Sequence, residues 1–218
     1  MIFTCLGHSK FLIELMSGMR ICTDPFDAST GYPVGDTEAD VVLVSHHHHD
    51  HDAVDTLRGV EKVIDTEGTH TLSFGTQVHM LASYHDDKQG SLRGSNLIAV
   101  LETEGLRVAH LGDLGHLPDE DLYAKIGHVD VLLIPVGGYY TIDAQQALEI
   151  CKHLEPQVIL PMHYKTAFND DWPIAKVDAF LDACRHELGK EAETLDLLRV
   201  TADDLSCQPS VCVLRAQV

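Results

Sequence analysis

Basic residues are scarce in this chain. Fifteen Lys and Arg stand against 34 Asp and Glu, giving a net charge of −19 and a pI near 5.0. So acidic a surface lacks the broad positive footprint that holds nucleic acid or an anionic membrane. A locally positive pocket is still compatible with it, because bound cations invert the field around them. Long apolar runs are also missing, so no segment reads as membrane-spanning. The start, MIFTCLGHSKFLIEL, has no basic stretch followed by an apolar core and a small-residue cleavage site, so no secretory leader is expected. The six cysteines include no Cys-x-x-Cys pair. Cys5, Cys22, Cys151 and Cys184 fall in apolar segments, where a thiol acts as a small hydrophobe. No Pro/Gly/Ser-rich linker and no repeat divides the 218 residues. These absences predict a reduced, cytoplasmic protein of one domain, residues 1–218, with no nucleic-acid and no membrane partner.

What is present is a core-forming pattern: 44% of residues are hydrophobic, enough for a substantial interior. Ile2–Leu6, Lys10–Leu15 and Met19–Thr23 read as a meander of short strands ending at Asp24-Pro25-Phe26. Residues 27–38 read as a loop. Ala53–Val60 reads as a short helix, Lys62–Asp65 as a strand, and Thr66–Thr71 as a turn. Gln77–Ser83 is a strand, and residues 86–95 form a second polar loop. Asn96–Leu101 and Leu106–Leu111 flank a hairpin signal at Glu102–Gly105. Pro118–Gly127 is a short helix and Val129–Val136 a buried strand. Asp143 caps a helix over Ala144–Leu154. Gln157–Met162 is a further strand. Ile174, Val177, Leu181, Cys184 and Leu188 recur at helical spacing up to Gly189, and residues 211–214 form a closing strand. Meandering strands followed by strands alternating with helices predict one mixed α/β domain.

Residues 39–52, ADVVLVSHHHHDHD, join a β-branched buried strand to a burst of histidine and aspartate. Such a cluster is costly to bury unless something satisfies it. Metal does so best, since imidazole and carboxylate are ordinary ligands of zinc and its neighbours. The run is internal, so it is not an expression tag. Three more apolar strands also end in potential ligands, at His85, Asp113 and His163. In α/β folds, sites gather at the carboxyl ends of strands.

His46-x-His48-x-Asp50-His51 matches the H-x-H-x-D-H motif of the metallo-β-lactamase superfamily, and His85, Asp113 and His163 resemble its later motifs. The phrases GHSKFLIEL, TDPF, AHLGDLGH, PVGGYYTIDA and PMHYKT resemble small cytoplasmic metal-dependent hydrolases of the UlaG-like, ascorbate-phosphate lactonase branch. The resemblance implies a four-layer αββα sandwich with two divalent metal ions at one edge: Zn²⁺, with Mn²⁺ or Fe as alternatives. It implies His46, His48 and His85 on one ion, Asp50, His51 and His163 on the other, and Asp113 bridging both. His46 and His48, if extended, point the same way. His47 and His49 then point away from the first ion, to solvent or to the ligands' surroundings. His8, in the turn of the first meander, could approach the site, but a structural hydrogen bond is the simpler expectation.

Two ions so placed would lower the pKa of a bridging water from 15.7 towards about 7 and polarise the bond under attack. Asp50 is the catalytic candidate, orienting the nucleophile or taking its proton. Lys165 and Arg93 are cations that could meet a carboxylate or phosphate, although Arg93 reads more simply as a solvated charge. Tyr139 and Tyr140 could donate to an oxyanion, and His116 is a further candidate at the site. The expected activity is hydrolysis of a small anionic ester, lactone or phosphodiester. The alternatives are a nuclease of the same superfamily, disfavoured by the charge, and a diiron redox protein, members of which carry Glu in place of His48.

Overall fold

The computed structural model describes all 218 residues. Two sheets face each other. The first runs, edge to edge, Leu198–Arg199, Ile2–Cys5, Phe11–Glu14, Arg20–Thr23, Val41–Leu43 and Lys62–Ile64. The second runs Ala192–Leu195, Val211–Leu214, Val158–Met162, Val131–Pro135, Leu106–His110, Ser95–Thr103, Gln77–Tyr84 and Gly68–Thr71. Alternation along the strands decides which side chains enter the space between them. Phe3, Phe11, Ile13, Ile21 and Leu43 from the first sheet meet Met80, Leu101, Val108, Leu133 and Leu160 from the second, in a cluster of 25 buried residues.

The second sheet buries its other face as well. Val100, Ala109, Leu132, Ile134 and Ile159 pack under Leu122, Leu148, Cys151 and Phe180, which belong to helices Glu120–Ile126, Ala144–Leu154 and Asp178–Ala183. Its central strands therefore read as unbroken apolar runs, as expected when both faces are covered. Asp143 caps the middle helix through the amides of Gln145 and Gln146, and Gln146 returns the bond to the Asp143 amide. Two facing sheets with helices over the outer face of the second make the kind of sandwich that the resemblance implies.

The outer layer over the first sheet is slight. Only five buried residues, among them Val42, Val44 and Leu57, form its cluster. Ala53–Val60, expected as a helix, is a single 3-10 turn at Val54–Thr56 followed by Leu57–Arg58, which pairs with Thr37–Glu38. One turn with two β-branched residues offers too few bonds to nucleate a helix against that competing pairing. Thr66–Thr71, expected as a turn, contains the edge strand Gly68–Thr71, which borrows its register from Gln77–Tyr84. The last helix begins at Asp178 rather than Ile174 and ends in a π turn over Cys184–Leu188. None of the cysteines is in a disulfide, and all but Cys207 are buried. No helix is long and apolar enough to cross a membrane.

Candidate metal centre

Every strand that leads into the site does so from its carboxyl end, at one edge of the sandwich. From the first sheet, Ile2–Cys5 leads to His8, Arg20–Thr23 to Asp24, and Val41–Leu43 to His46, His48, Asp50 and His51. From the second, Gln77–Tyr84 leads to His85, Leu106–His110 to Asp113, and Val158–Met162 to His163. The histidine stretch is not extended. It folds into a turn, with the His51 and Asp52 amides donating to the His48 carbonyl. Residues 45–48 bend rather than extend, and the turn that starts at His48 carries Asp50 and His51 back towards the site.

Glycine permits the close approach of backbones beneath these ends. A Cβ at Gly115 would overlap the backbone of His85 and Asp86, and one at Gly137 would overlap the carbonyl of His163. His8, Asp24 and His163 themselves hold left-handed backbone, with φ of 53°, 39° and 51°. Such strain in non-glycine residues clusters at functional sites.

The ligating atoms collect in three overlapping groups, each within 4.8 Å: His46, His48 and His85; His8, Asp50, His51 and His163; and His46, His51 and Asp113. Asp113 stands where the two halves meet. Its Oδ2 lies 3.2 Å from Nε2 of His85, 3.4 Å from Nε2 of His51 and 3.1 Å from Nε2 of His163. Nε2 of His46, Nε2 of His51 and Oδ1 of Asp113 are buried with no hydrogen-bond partner. Orphaned buried nitrogens carry a desolvation cost of about 1–3 kcal/mol each. Metal coordination removes that cost, so this donor set fits divalent cations that accept nitrogen and oxygen ligands.

Charge in the cluster is organised around His51. Burial disfavours its imidazolium, but the Asp113 and Asp24 carboxylates outweigh burial and raise its pKa well above the ordinary value. Burial would likewise raise Asp113, yet His163 and His51 hold it well below the usual carboxylate range. Burial pushes His46 down to about 2, with the His51 charge adding to the effect. His48 is lowered by burial and by His85. His46 and His48 are therefore neutral at physiological pH, with lone pairs free to coordinate.

Comparison with known proteins gives the family. The family model "Beta-lactamase superfamily domain" matches residues 3–163. A UPF0173 metal-dependent hydrolase of Archaeoglobus fulgidus is 31% identical, covering 75% of this chain and 83% of its own. One from Carboxydothermus hydrogenoformans is 32% identical, covering 80% and 87%. The chain belongs to the UPF0173 metal-dependent hydrolase family. A solved structure of a metallo-β-lactamase superfamily protein from Thermotoga maritima superposes with a TM-score of 0.76 at 35% identity, covering 98% of this chain and 97% of that one.

Seen within the UPF0173 family, the seven predicted ligands His46, His48, Asp50, His51, His85, Asp113 and His163 all lie at one edge. Of the four substrate-contact candidates, only Tyr140 lines the adjoining cavity of about 610 Å³, which is shared with His48, Asp50, Arg93, Asp113, His163 and Trp172 among others. Tyr139 is turned to solvent, 64% exposed, by its left-handed backbone at φ 60°. His116 is held in a different recess, where its Nε2 accepts from the Tyr84 amide and its Nδ1 meets the Leu117 carbonyl. Lys165 lies outside the cavity wall, its backbone tied to Ala175. His47 faces outward beside Asp52 and Asp65, while His49 sits at the cavity mouth.

Four residues with a place at this UPF0173 site, Asp24, Ser45, His8 and Trp172, are not assigned to it from the sequence. Asp24 is buried and accepts from Nδ1 of His51 at 3.0 Å and from the Ser45 amide and hydroxyl, both at 2.8 Å. Ser45 Oγ in turn meets Nδ1 of His46 at 2.9 Å. Outer contacts of this kind fix ring orientation and tautomer for a metal ligand. His8, expected to make a structural hydrogen bond, has neither ring nitrogen in a hydrogen bond. Its Nε2 lies 3.5 Å from Asp50, and its ring rests against His163 and Trp172. The strand-to-turn position of Asp24 and the phrase GHS were the available signals; Trp172 had none.

Proposed function

We propose that this metal-dependent hydrolase of the metallo-β-lactamase superfamily works through a binuclear centre, most naturally of zinc, on a small anionic ester, lactone or phosphodiester. One observation carries the reading: the Asp113 carboxylate faces imidazoles of both ligand groups, with unpartnered buried nitrogens around it. His46, His48 and His85 would hold one ion, Asp50, His51 and His163 the other, and Asp113 both. When bound, such ions supply an acidified water and Lewis-acid polarisation of the electrophile.

The chain's own residues supply the rest. Burial would raise Asp50, but the charge of His51 and the contact with His8 keep its carboxyl low, so it is ionised and can take a proton from the attacking water. Asp24 holds the ring of His51 in place. Trp172, packed edge-on to His8 and Tyr140, forms part of the cavity wall. A cavity of about 610 Å³ is of the size that takes small molecules. With the charge of −19, this supports a metabolite substrate over a polynucleotide.

The test is metal analysis of the purified protein, followed by a screen over lactones, thioesters and phosphodiesters before and after chelation. Two ions per chain and chelator-sensitive turnover of at least one class are expected. Turnover that persists in the stripped protein would sink the reading.

A further inference from the structure

The loop after His85 is built around a single side chain. Asp86 is buried, and its carboxylate accepts four backbone amides: Lys88 at 2.8 Å and Gly90 at 3.0 Å on Oδ1, Leu92 at 2.9 Å and Arg93 at 2.7 Å on Oδ2. The His85 amide closes the loop onto the carbonyl of Gly94. The loop therefore starts at a ligand of the metal centre and delivers Arg93 to the wall of the same cavity. Its guanidinium lies over the ring of Tyr140, 5.7 Å from the centroid.

Arg93 is the one Lys or Arg among the residues lining that cavity. Arg20, Arg58, Arg107, Arg185 and Arg215 each pair with a carboxylate; Arg93 and Arg199 have none within 4 Å, and of these two only Arg93 lines the cavity. In a chain with more than twice as many acids as bases, a half-buried guanidinium without a counter-ion has its donors available. A guanidinium set over an aromatic face at this distance keeps its donors free to meet an oxyanion with two parallel bonds.

We infer that Arg93 and Tyr140 form an anion subsite that binds a carboxylate or phosphate group of the substrate, while the bond to be cut lies at the metal centre. The inference rests on the hydrolytic reading and adds to it the residues that select the substrate. Arg93 is a binding and specificity residue, and Asp86 is the positioning residue that holds its loop.

The experiment titrates the metal-loaded protein with succinate, inorganic phosphate and the neutral analogue succinamide, followed by calorimetry and by fluorescence of Trp172, the single tryptophan. The wild type should bind at least one anion and not succinamide. Arg93→Gln should weaken that binding by about tenfold to a hundredfold, as expected for loss of charge-assisted hydrogen bonds. Arg93→Lys should fall between, since it keeps the charge and loses the fork. Metal content of each variant should match the wild type. An affinity unchanged in Arg93→Gln would show that the anion sits on the metals alone and would overturn the inference, as would a wild type that binds neither anion. Hydrolysis is read separately, with p-nitrophenyl acetate and its carboxylate-bearing counterpart, mono-p-nitrophenyl succinate. Arg93→Gln should lower the kcat/KM ratio of the succinate over the acetate by about tenfold. If neither ester is cut, the ester reading fails while the binding arm still decides the subsite.

Discussion

Asp24→Asn is the most discriminating perturbation of the centre, because it changes one oxygen and keeps the shape. Asp24 Oδ1 accepts the Ser45 amide, and Oδ2 accepts the Ser45 hydroxyl and Nδ1 of His51. An asparagine can keep the first bond with its carbonyl. Its amide group then faces Nδ1 of His51 with hydrogens, so that nitrogen must become an acceptor. The ring proton moves to Nε2, the atom 3.6 Å from Asp50 and 3.4 Å from Asp113. A protonated Nε2 cannot coordinate. Loss of an outer-shell partner weakens metal binding about 10- to 100-fold, or roughly 1.4–2.8 kcal/mol. Asp24→Ala should do more, since it leaves the Ser45 amide and His51 buried and unpaired; about 3–5 kcal/mol of metal-free stability should be lost. Competition against a chromophoric chelator measures the first effect, and urea unfolding of metal-free protein the second. If Asp24→Asn holds the ion proposed at His51 within about twofold of wild type, Asp24 does not set the tautomer of His51.

Asp113→Ala should lose both ions, and His48→Ala one, each with its hydrolytic activity; metal analysis beside an activity assay checks this. Metal binding should release protons. The raised pKa of His51 means that the metal-free fold carries imidazolium there, so affinity rises with pH, and calorimetry in two buffers of different ionisation enthalpy counts the protons. His51 stabilises the metal-free fold below its ordinary unfolded pKa of about 6.5, and this contribution disappears as pH rises through the folded value. His46, depressed to about 2, acts with the opposite sign. Its contribution is present above about 6.5 and is lost as pH falls towards 2, so a thermal-melt series from neutral to acid pH should fall in that window. Gly115→Ala should cost about 1–3 kcal/mol by overpacking and lower metal affinity as well, because the added methyl displaces the backbone of His85.

Much of the site was legible because strands announce themselves as apolar runs and ligands follow them directly. Val41–Leu43, Gln77–Tyr84, Leu106–His110 and Val158–Met162 are all of this kind. The capped helix Ala144–Leu154 was legible in full, since Asp143 and the 3.6-residue apolar spacing act locally. Gly68–Thr71 was not, because three of its four residues are exposed and its pairing is imposed by a neighbour. Asp24 and His8 look like turn residues in one dimension. Only the lateral order of the first sheet, which sets Arg20–Thr23 beside Val41–Leu43, reveals that Asp24 faces His51 and His8 faces Asp50. Lys165 and Tyr139 illustrate the reverse error: adjacency in sequence to His163 and Tyr140 does not place a side chain in the same cavity.

The proposed ligands divide between the two sheets. His46, His48, Asp50 and His51 come from the first, and His85, Asp113 and His163 from the second. Apolar contact holds the sheets together along their length, but at this edge the facing groups are imidazoles and carboxylates, which repel water poorly and adhere weakly when bare. An ion bound there would act as a rivet between two plates. By mass action, such a rivet should stabilise the fold by about 2.7 kcal/mol at a free metal concentration a hundred times its dissociation constant. Stripping it should loosen this edge first, so hydrogen exchange at His85, Asp113 and His163 should quicken well before exchange at Leu133 in the middle of the sandwich.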